Sequence, residues 1–212
     1  MADELVLYTH PQSRGRIARW MLEEVGRPYR TEILEYDTTM KAPPYRAINP
    51  MGKVPAIRHG DVVVTEAAAI CAYLADAFPD AGLAPPPGDK RRAPYYRWLF
   101  FAAGPLEAAA SNTALGLTVP AGRERMIGYG TMADVLAALE GAVSQGDYLA
   151  GDRFSAADLY VGAHLIWGMQ FGTIEERPAF ERFAARVAAR PAAQRANQID
   201  DALAAEGRSK TS

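Results

Sequence analysis

The sequence predicts an α/β first half joined to an all-helical second half. Before residue 79, short β-prone runs alternate with helical ones, in the order β-α-β and then, after a polar connection, β-β-α. The stretch from Pro79 to Asp89 is dense in proline, which cannot continue a helix and suits a semi-rigid linker. Beyond it no alternating strand pattern recurs, alanine becomes frequent, and apolar residues return at helical spacing. The expected organisation is a first domain over 1–80, a linker over 81–90 and a helical domain over 91–212.

The run Leu5-Val6-Leu7-Tyr8-Thr9 is apolar and β-prone, and it stops at His10-Pro11, where proline removes a ladder donor. Ser13 can then cap a helix carrying Ile17, Met21, Leu22 and Val25 at helical spacing. Arg19 and Glu23 are expected to pair at i,i+4 on its outer side, with Gly26 ending it. Tyr29 to Leu34 reads as a second strand and Tyr36 to Ile48 as a long polar connection broken at Pro43-Pro44. Ala56 to His59 and Val62 to Thr65 form a hairpin around Gly60-Asp61. Glu66 to Phe78 is a helix with Ile70, Cys71, Leu74 and Phe78 on one stripe.

In the second half, Arg91 to about Leu117 carries Tyr95, Tyr96, Trp98, Phe100 and Phe101, and Pro105 should kink or divide it. Met132, Val135, Leu136, Leu139 and Val143 mark the next helix. Ser155 to Met169 is apolar nearly all round, as expected at the centre of a bundle, and its start is strongly encoded. Ser155 and Asp158 resemble a capping box, and Phe154 with Leu159 a hydrophobic staple. Phe180, Phe183, Ala184 and Val187 mark a helix ended by Pro191. A weaker helix near Ile199 to Ala205 precedes a frayed tail after Glu206.

Composition excludes several functions. Hydrophobic residues make up 49% of the 212, charged residues 23%, and the net charge is -2, so the chain is globular and lacks a large basic footprint for nucleic acid. With Cys71 alone, no intramolecular disulfide, Cys-x-x-Cys pair or thiolate zinc cluster can form. His10, His59 and His164 offer no metal-ligand spacing, so no metal is expected. Met1-Ala2-Asp3-Glu4 leads directly into a strand with no export signal, and the most apolar window, Leu99 to Leu106, is far too short to span a bilayer. A cytoplasmic protein is expected, with no membrane partner. Basic residues other than Lys41, Lys53, Lys90 and Lys210 are arginine, a bias that with the many alanines suggests a GC-rich bacterial genome.

Asn49-Pro50-Met51-Gly52-Lys53-Val54-Pro55 is the most informative stretch, since a turn with two prolines and a glycine leads straight into a strand. If Val54-Pro55 is cis, the Val54 N–H and C=O face outward and can pair with an extended, peptide-like ligand. Cys71 lies on the inward stripe and reads as core, and His164 as a satisfied core histidine. His10 reads as an exposed loop residue or a substrate contact.

These motifs in this order resemble the cytosolic glutathione S-transferases over nearly the whole chain. They are the β-α-β-β-α half with Asn49-Pro50-x-Gly52-Lys53-Val54-Pro55, Thr65-Glu66 opening a helix through Ala69-Ile70-Cys71-Ala72-Tyr73-Leu74, a proline linker, and Phe154-Ser155-Ala156-Ala157-Asp158. The resemblance implies a thioredoxin-like N-terminal domain (β-α-β-α-β-β-α) that binds glutathione, and an all-α C-terminal domain that supplies the pocket for a small hydrophobic electrophile. It also implies a homodimer and a role in detoxification. By position, Val54 would hold the cysteinyl backbone of glutathione, Pro55 would be the cis proline, Lys53 would reach the glycyl carboxylate, and Glu66 would take the γ-glutamyl end. Ala67 stands where members commonly carry Ser or Thr, leaving only its backbone N–H. Glutathione carries two carboxylates and one ammonium, so a site needs an acid for the cation and helix amides or basic groups for the anions.

A thiol with pKa near 8.5 is mostly protonated at neutral pH, and a hydroxyl at a helix N-terminus can stabilise its thiolate. Tyr8-x-x-Pro11-x-Ser13 resembles the serine-type transferases, which makes Ser13 the expected activator, with the macrodipole and Arg14 adding positive potential. Tyr8 is the rival, at the position where tyrosine-type members keep a phenol. His10 and Phe101 are the expected electrophile contacts. Glutathione-dependent peroxide or disulfide reduction, and a non-catalytic transferase-like binding module, are the alternative functions.

Overall fold

The computed structural model describes residues 3–210, so Met1-Ala2 of the expected leaderless start and the last two residues of the expected tail lie outside the described residues. The chain divides into two compact units, one running to Leu83 and resuming at Arg190, the other comprising Ala84–Ala189.

In the first unit the order is β1 (Leu5–Thr9), α1 (Gly15–Val25), β2 (Arg30–Ile33), α2 (Pro43–Arg46), β3 (Ala56–His59), β4 (Val62–Thr65) and α3 (Ala67–Ala77). A four-stranded mixed sheet has the order β2-β1-β3-β4, with β1 parallel to β2 and antiparallel to β3. This is the expected thioredoxin-like arrangement. The polar connection holds the short α2, which Pro43 opens at its first position, where a missing N–H costs nothing. Alternation along β1 sends Val6 and Tyr8 into a cluster with Met40, Tyr45 and Ala56. Ile70, Cys71 and Leu74 of α3 are fully buried as expected, whereas Phe78 ends the helix half-buried under the Arg27 guanidinium.

The last helix, α9 (Pro191–Lys210), belongs to this unit and packs on α1, although the sequence pattern groups it with the helices before it. Pro191 therefore ends one helix and starts another, and the helix runs on past the expected fraying point at Glu206. Charge explains the docking. The Glu24 carboxylate accepts from Arg190 Nε at 2.7 Å and Nη2 at 2.8 Å, and Glu23 accepts from Arg195 Nε at 3.1 Å. The expected exposed Arg19–Glu23 pair is thus not formed. Arg19 is buried and its Nε donates to Asp200 of α9 at 2.9 Å, while Nη1 donates to Tyr29 Oη and Thr31 Oγ1, both at 3.2 Å.

The second unit is helical: α4 (Arg92–Phe101), α5 (Glu107–Ala114), α6 (Met132–Val143), α7 (Ala156–Gln170) and α8 (Pro178–Ala188). Gly104-Pro105 divides α4 from α5 through a wide π-type turn over Ala102–Leu106, since proline cannot donate within a helix. Of the aromatic cluster, Tyr95 and Trp98 are core, while Phe100 is 71% exposed. The α7 capping box is present: Asp158 accepts from the Ser155 N–H at 2.8 Å, the Ser155 hydroxyl at 2.7 Å and the Leu149 N–H at 2.6 Å.

Candidate active site

The strand registers bring four chain segments to one end of the sheet. Tyr8 is opposite Ala56 and Ala56 opposite Thr65, while Thr9 lies beside Ile33 in the parallel pair. The exits of β1, β2 and β4 and the entry to β3 therefore share one edge. Residues 10–14, 34–38, 53–55 and 66–68 follow directly from them.

The entry to β3 is built around Asn49. Its Oδ1 accepts from the Met51 N–H at 3.1 Å and its Nδ2 donates to the Lys53 C=O at 2.8 Å, where the Tyr45 hydroxyl also donates at 2.6 Å. Burial pushes the Tyr45 phenol up to about 12, so it stays a neutral donor. Gly52 has φ of 57°, and a Cβ there would lie 2.9 Å from the Met40 carbonyl oxygen. Lys41 Nζ closes the loop on the Gly52 C=O at 2.6 Å. This braced turn delivers a cis Val54-Pro55 bond, as the resemblance implied. Among the described residues neither the N–H nor the C=O of Val54 has a protein hydrogen-bond partner, so both can pair with an extended backbone.

One step beyond the Ala56–Thr65 pair, Glu66 holds φ of 66° and ψ of 121° at the start of α3, a conformation a non-glycine residue adopts only under strain. Its side chain is exposed and forms no ion pair among the described residues. No side chain caps α3, so the N–H groups of its first turn, beginning with that of buried Ala67, stand available to an anion. Lys53 is exposed, and its ammonium is likewise unpaired among the described residues.

At the exit of β1, helix α1 begins at Gly15 with Arg14 at the N-cap position, one residue later than a Ser13 cap implies. Ser13 still serves the helix end: its hydroxyl accepts from the Gly15 N–H at 3.0 Å and donates to the His10 C=O at 2.7 Å. Gly15 is required because a Cβ would collide with Thr9 Oγ1. Tyr8 is buried, its ring 5.7 Å from that of Tyr45, and its hydroxyl has no protein partner among the described residues.

His10 is drawn into the turn, its Nδ1 accepting from the Gln12 N–H at 3.1 Å and its Nε2 lying 3.7 Å from Glu35 Oε2. Tyr36, which sequence reasoning missed, sits 4.6 Å from the His10 ring and donates to the Gln12 C=O at 3.2 Å. Burial raises its phenol above the ordinary value, opposed by Ser13 and Arg14. The one available signal was an aromatic residue in an otherwise polar connection.

The remaining candidates lie on other elements. Phe101, in the helical unit, is half-buried and packs edge-on against Trp98 at 5.2 Å. Cys71 is fully buried, and burial drives its thiol far above the ordinary range, which makes it inert. His164 is held by the Tyr160 C=O at 2.9 Å from Nδ1, with Glu107 Oε2 3.4 Å from Nε2. Among the described residues no group of His, Cys, Asp and Glu could hold a metal ion, and no helix is long and apolar enough to cross a membrane.

Comparison with known proteins gives concordant matches. Residues 14–77 match the family model for the glutathione S-transferase N-terminal domain, and residues 113–191 match that for its C-terminal domain. Glutathione S-transferase GstA from Escherichia coli is 31% identical over 172 residues, covering 77% of this chain and 78% of that protein. Glutathione S-transferase 3 from Zea mays is 30% identical over 211 residues, covering 90% and 92%. Among solved structures, a sphingomonad glutathione S-transferase complexed with glutathione superposes with a TM-score of 0.75 at 27% identity, over 92% of this chain and 98% of that one. A glutathione transferase from Methylococcus capsulatus gives 0.77 at 28% identity, over 93% and 98%.

Proposed function

Because the chain belongs to the glutathione S-transferase family, we propose that the segments at the open end of its sheet bind glutathione and that Ser13 activates the thiol. The activity is that of a glutathione transferase, and the observation that carries the site reading is chemical complementarity. Glutathione needs a backbone partner for its cysteinyl residue, an acid for its ammonium, and donors for two carboxylates. The unpaired N–H and C=O of Val54, the unpaired Glu66 carboxylate, the open N-terminus of α3 at Ala67 and the Lys53 ammonium supply each in turn. Pro55 fixes the direction of Val54.

Ser13 is the assigned activator because its oxygen already accepts the Gly15 N–H, which polarises the hydroxyl, and because it lies beside the positive end of α1. Its O–H, now donated to the His10 C=O, turns to donate to the glutathione sulfur as the thiol proton passes to solvent. The thiolate then attacks the electrophile, forming a carbon–sulfur bond as the leaving group departs or the acceptor bond opens. Tyr8 is the competing activator, favoured by its unpartnered hydroxyl. Phe101 and His10 are assigned to a small hydrophobic electrophile. A homodimeric, cytoplasmic detoxification enzyme of the serine type completes the reading, and light scattering on purified protein checks the dimer.

The test is titration calorimetry with glutathione alongside conjugation of an aryl halide. Wild type is expected to bind and turn over, and Glu66→Ala to lose most of its affinity. Absence of both binding and conjugation in wild type overturns the reading. Hydroperoxide turnover exceeding conjugation would instead favour the reductase chemistry.

A further inference from the structure

We propose that Arg16 is a positioning residue of the thiol-activating turn, its guanidinium bridging the Pro11 carbonyl to Asp201 on α9 so that the C-terminal helix helps to seat the Ser13 hydroxyl against the bound thiol. The inference rests on the assignment of Ser13 as the activator, and every residue in it belongs to the first unit.

The turn over 10–13 is held largely by its carbonyls, since Pro11 has no N–H to offer. The His10 C=O takes the Ser13 hydroxyl at 2.7 Å, and the Gln12 C=O takes the Tyr36 hydroxyl at 3.2 Å. The Pro11 and Ser13 carbonyls both go to Arg16. Its Nε donates to the buried Pro11 C=O at 2.6 Å, and its backbone N–H donates to the Ser13 C=O at 3.2 Å. The Nε bond is short and carries the guanidinium charge, which puts it among the stronger bonds of the turn. Arg16 therefore grips the chain just before Ser13 and at Ser13 itself.

The other arm of the guanidinium reaches a distant part of the chain. Arg16 Nη2 donates to Asp201 Oδ1 at 2.5 Å across 185 residues of sequence. α9 packs along α1, and its Asp200, beside Asp201, is fixed on Arg19 one turn on from Arg16, so the helix delivers the Asp201 carboxylate in a set register. The Asp201 side chain is 68% exposed, and an ion pair so open to water adds little to folding. Its effect is to aim the guanidinium. With Nη2 committed to Asp201, the planar fork leaves Nε directed at Pro11, a geometry that the single nitrogen of a lysine cannot reproduce. Aim matters because the thiol is placed by other groups, the Val54 backbone and Glu66, while the Ser13 hydroxyl must come within hydrogen-bond reach of it. A shift of the turn weakens thiolate stabilisation and leaves those binding contacts in place. Charge alone predicts the opposite sign: losing the Asp201 carboxylate makes the surroundings of the turn more positive, which lowers the thiol pKa, whereas loss of positioning raises it.

The experiment compares wild type with Asp201→Ala, Asp201→Glu, Arg16→Lys, Ser13→Ala and the Ser13→Ala/Asp201→Ala double variant. It measures the apparent pKa of the bound glutathione thiol by thiolate absorbance, kcat and KM separately, and the melting temperature. Asp201→Ala is expected to raise the thiol pKa and lower kcat about two- to fivefold, with KM for glutathione within about twofold and the melting temperature near that of wild type. Arg16→Lys is expected to lower kcat about tenfold, and Asp201→Glu to behave as wild type. In the Ser13→Ala background, Asp201→Ala is expected to add nothing. Asp201→Ala decides the matter should Arg16→Lys fail to fold. An unchanged or lowered thiol pKa in Asp201→Ala, or a rise of equal size without Ser13, overturns the proposal. If Ser13→Ala itself leaves the thiol pKa at the wild-type value, the Ser13 assignment has failed and the proposal falls with it. A shift in Ser13→Ala with none in Asp201→Ala confines the failure to Arg16.

Discussion

Arg19 on α1 and Asp200 on α9 meet at 2.9 Å with side chains 2% and 0% exposed. The pair is incompletely satisfied, since Arg19 Nη2 and Asp200 Oδ2 are buried without a partner. Burial raises the Asp200 carboxyl above its ordinary pKa, with the Arg19 charge pulling it down. Removing one member strands the other charge. Arg19→Ala or Asp200→Ala is expected to cost about 3–5 kcal/mol in urea unfolding, and Arg19→Met with Asp200→Leu less than either alone. Single variants losing under about 1 kcal/mol would show the pair to be dispensable.

Glu66 trades stability for binding. Glycine adopts its positive φ without strain, so Glu66→Gly is expected to raise the unfolding free energy by about 1 kcal/mol. Loss of a charged hydrogen bond to the ligand ammonium should weaken glutathione binding about 10- to 100-fold. Thermal melts and calorimetry on one sample read both, and a variant that is less stable than wild type contradicts the strain argument.

Gly52 answers to a different constraint. Gly52→Ala places a Cβ against the Met40 carbonyl at a positive φ, with an expected loss of about 1–3 kcal/mol and a raised KM for glutathione as Val54 shifts. An unchanged melting temperature would show that the loop yields.

Asp158 sets a pH dependence. Burial pushes its carboxyl up to about 6 from 3.8, against the opposing pull of the Leu149 and Ser155 donors. The folded protein holds this proton more tightly than the unfolded chain. The stability so gained is complete below about pH 4 and lost as pH rises through about 6. Relative to Asp158→Asn, wild type is expected to lose up to roughly 3 kcal/mol across that window. A constant difference between the two proteins would refute the raised pKa.

Ser13 and Tyr8 separate by substitution. Ser13→Ala is expected to raise the pKa of bound thiol by about one unit, which Tyr8→Phe does not. The opposite pattern, read by thiolate absorbance, reassigns activation to Tyr8.

Features encoded within a few residues of chain were legible in the sequence. The hairpin around Gly60-Asp61 and the Ser155–Asp158 capping box each announce themselves locally, whereas the cis bond at Val54-Pro55 was open in the residues themselves and implied by the family resemblance. Arg19 did not, because its spacing from Glu23 matches a surface pair while its partner lies 181 residues away. Tyr36 was hidden for a related reason. No periodicity marks a residue in a loop, and only the register of β1 with β2 brings it to His10 and Gln12. Val54, Glu66 and Lys53 were found because a motif points to them, and the free valences that give them chemical meaning became visible only in three dimensions.

The return of α9 to the first unit also acts in time. Arg19 leaves the ribosome early, yet Asp200 follows 181 residues later, and at about 5–20 residues per second the wait is roughly 9–36 s. Through that interval α1 has α3 to pack against but not α9, and the Arg19 guanidinium lacks its carboxylate partner. The helical unit, whose residues all come between the two segments of the first along the chain, can fold before the first unit is complete. Chaperone dependence should therefore concentrate on the nascent sheet unit, and pausing translation before Pro191 should leave that unit open to proteolysis while the helices are already protected.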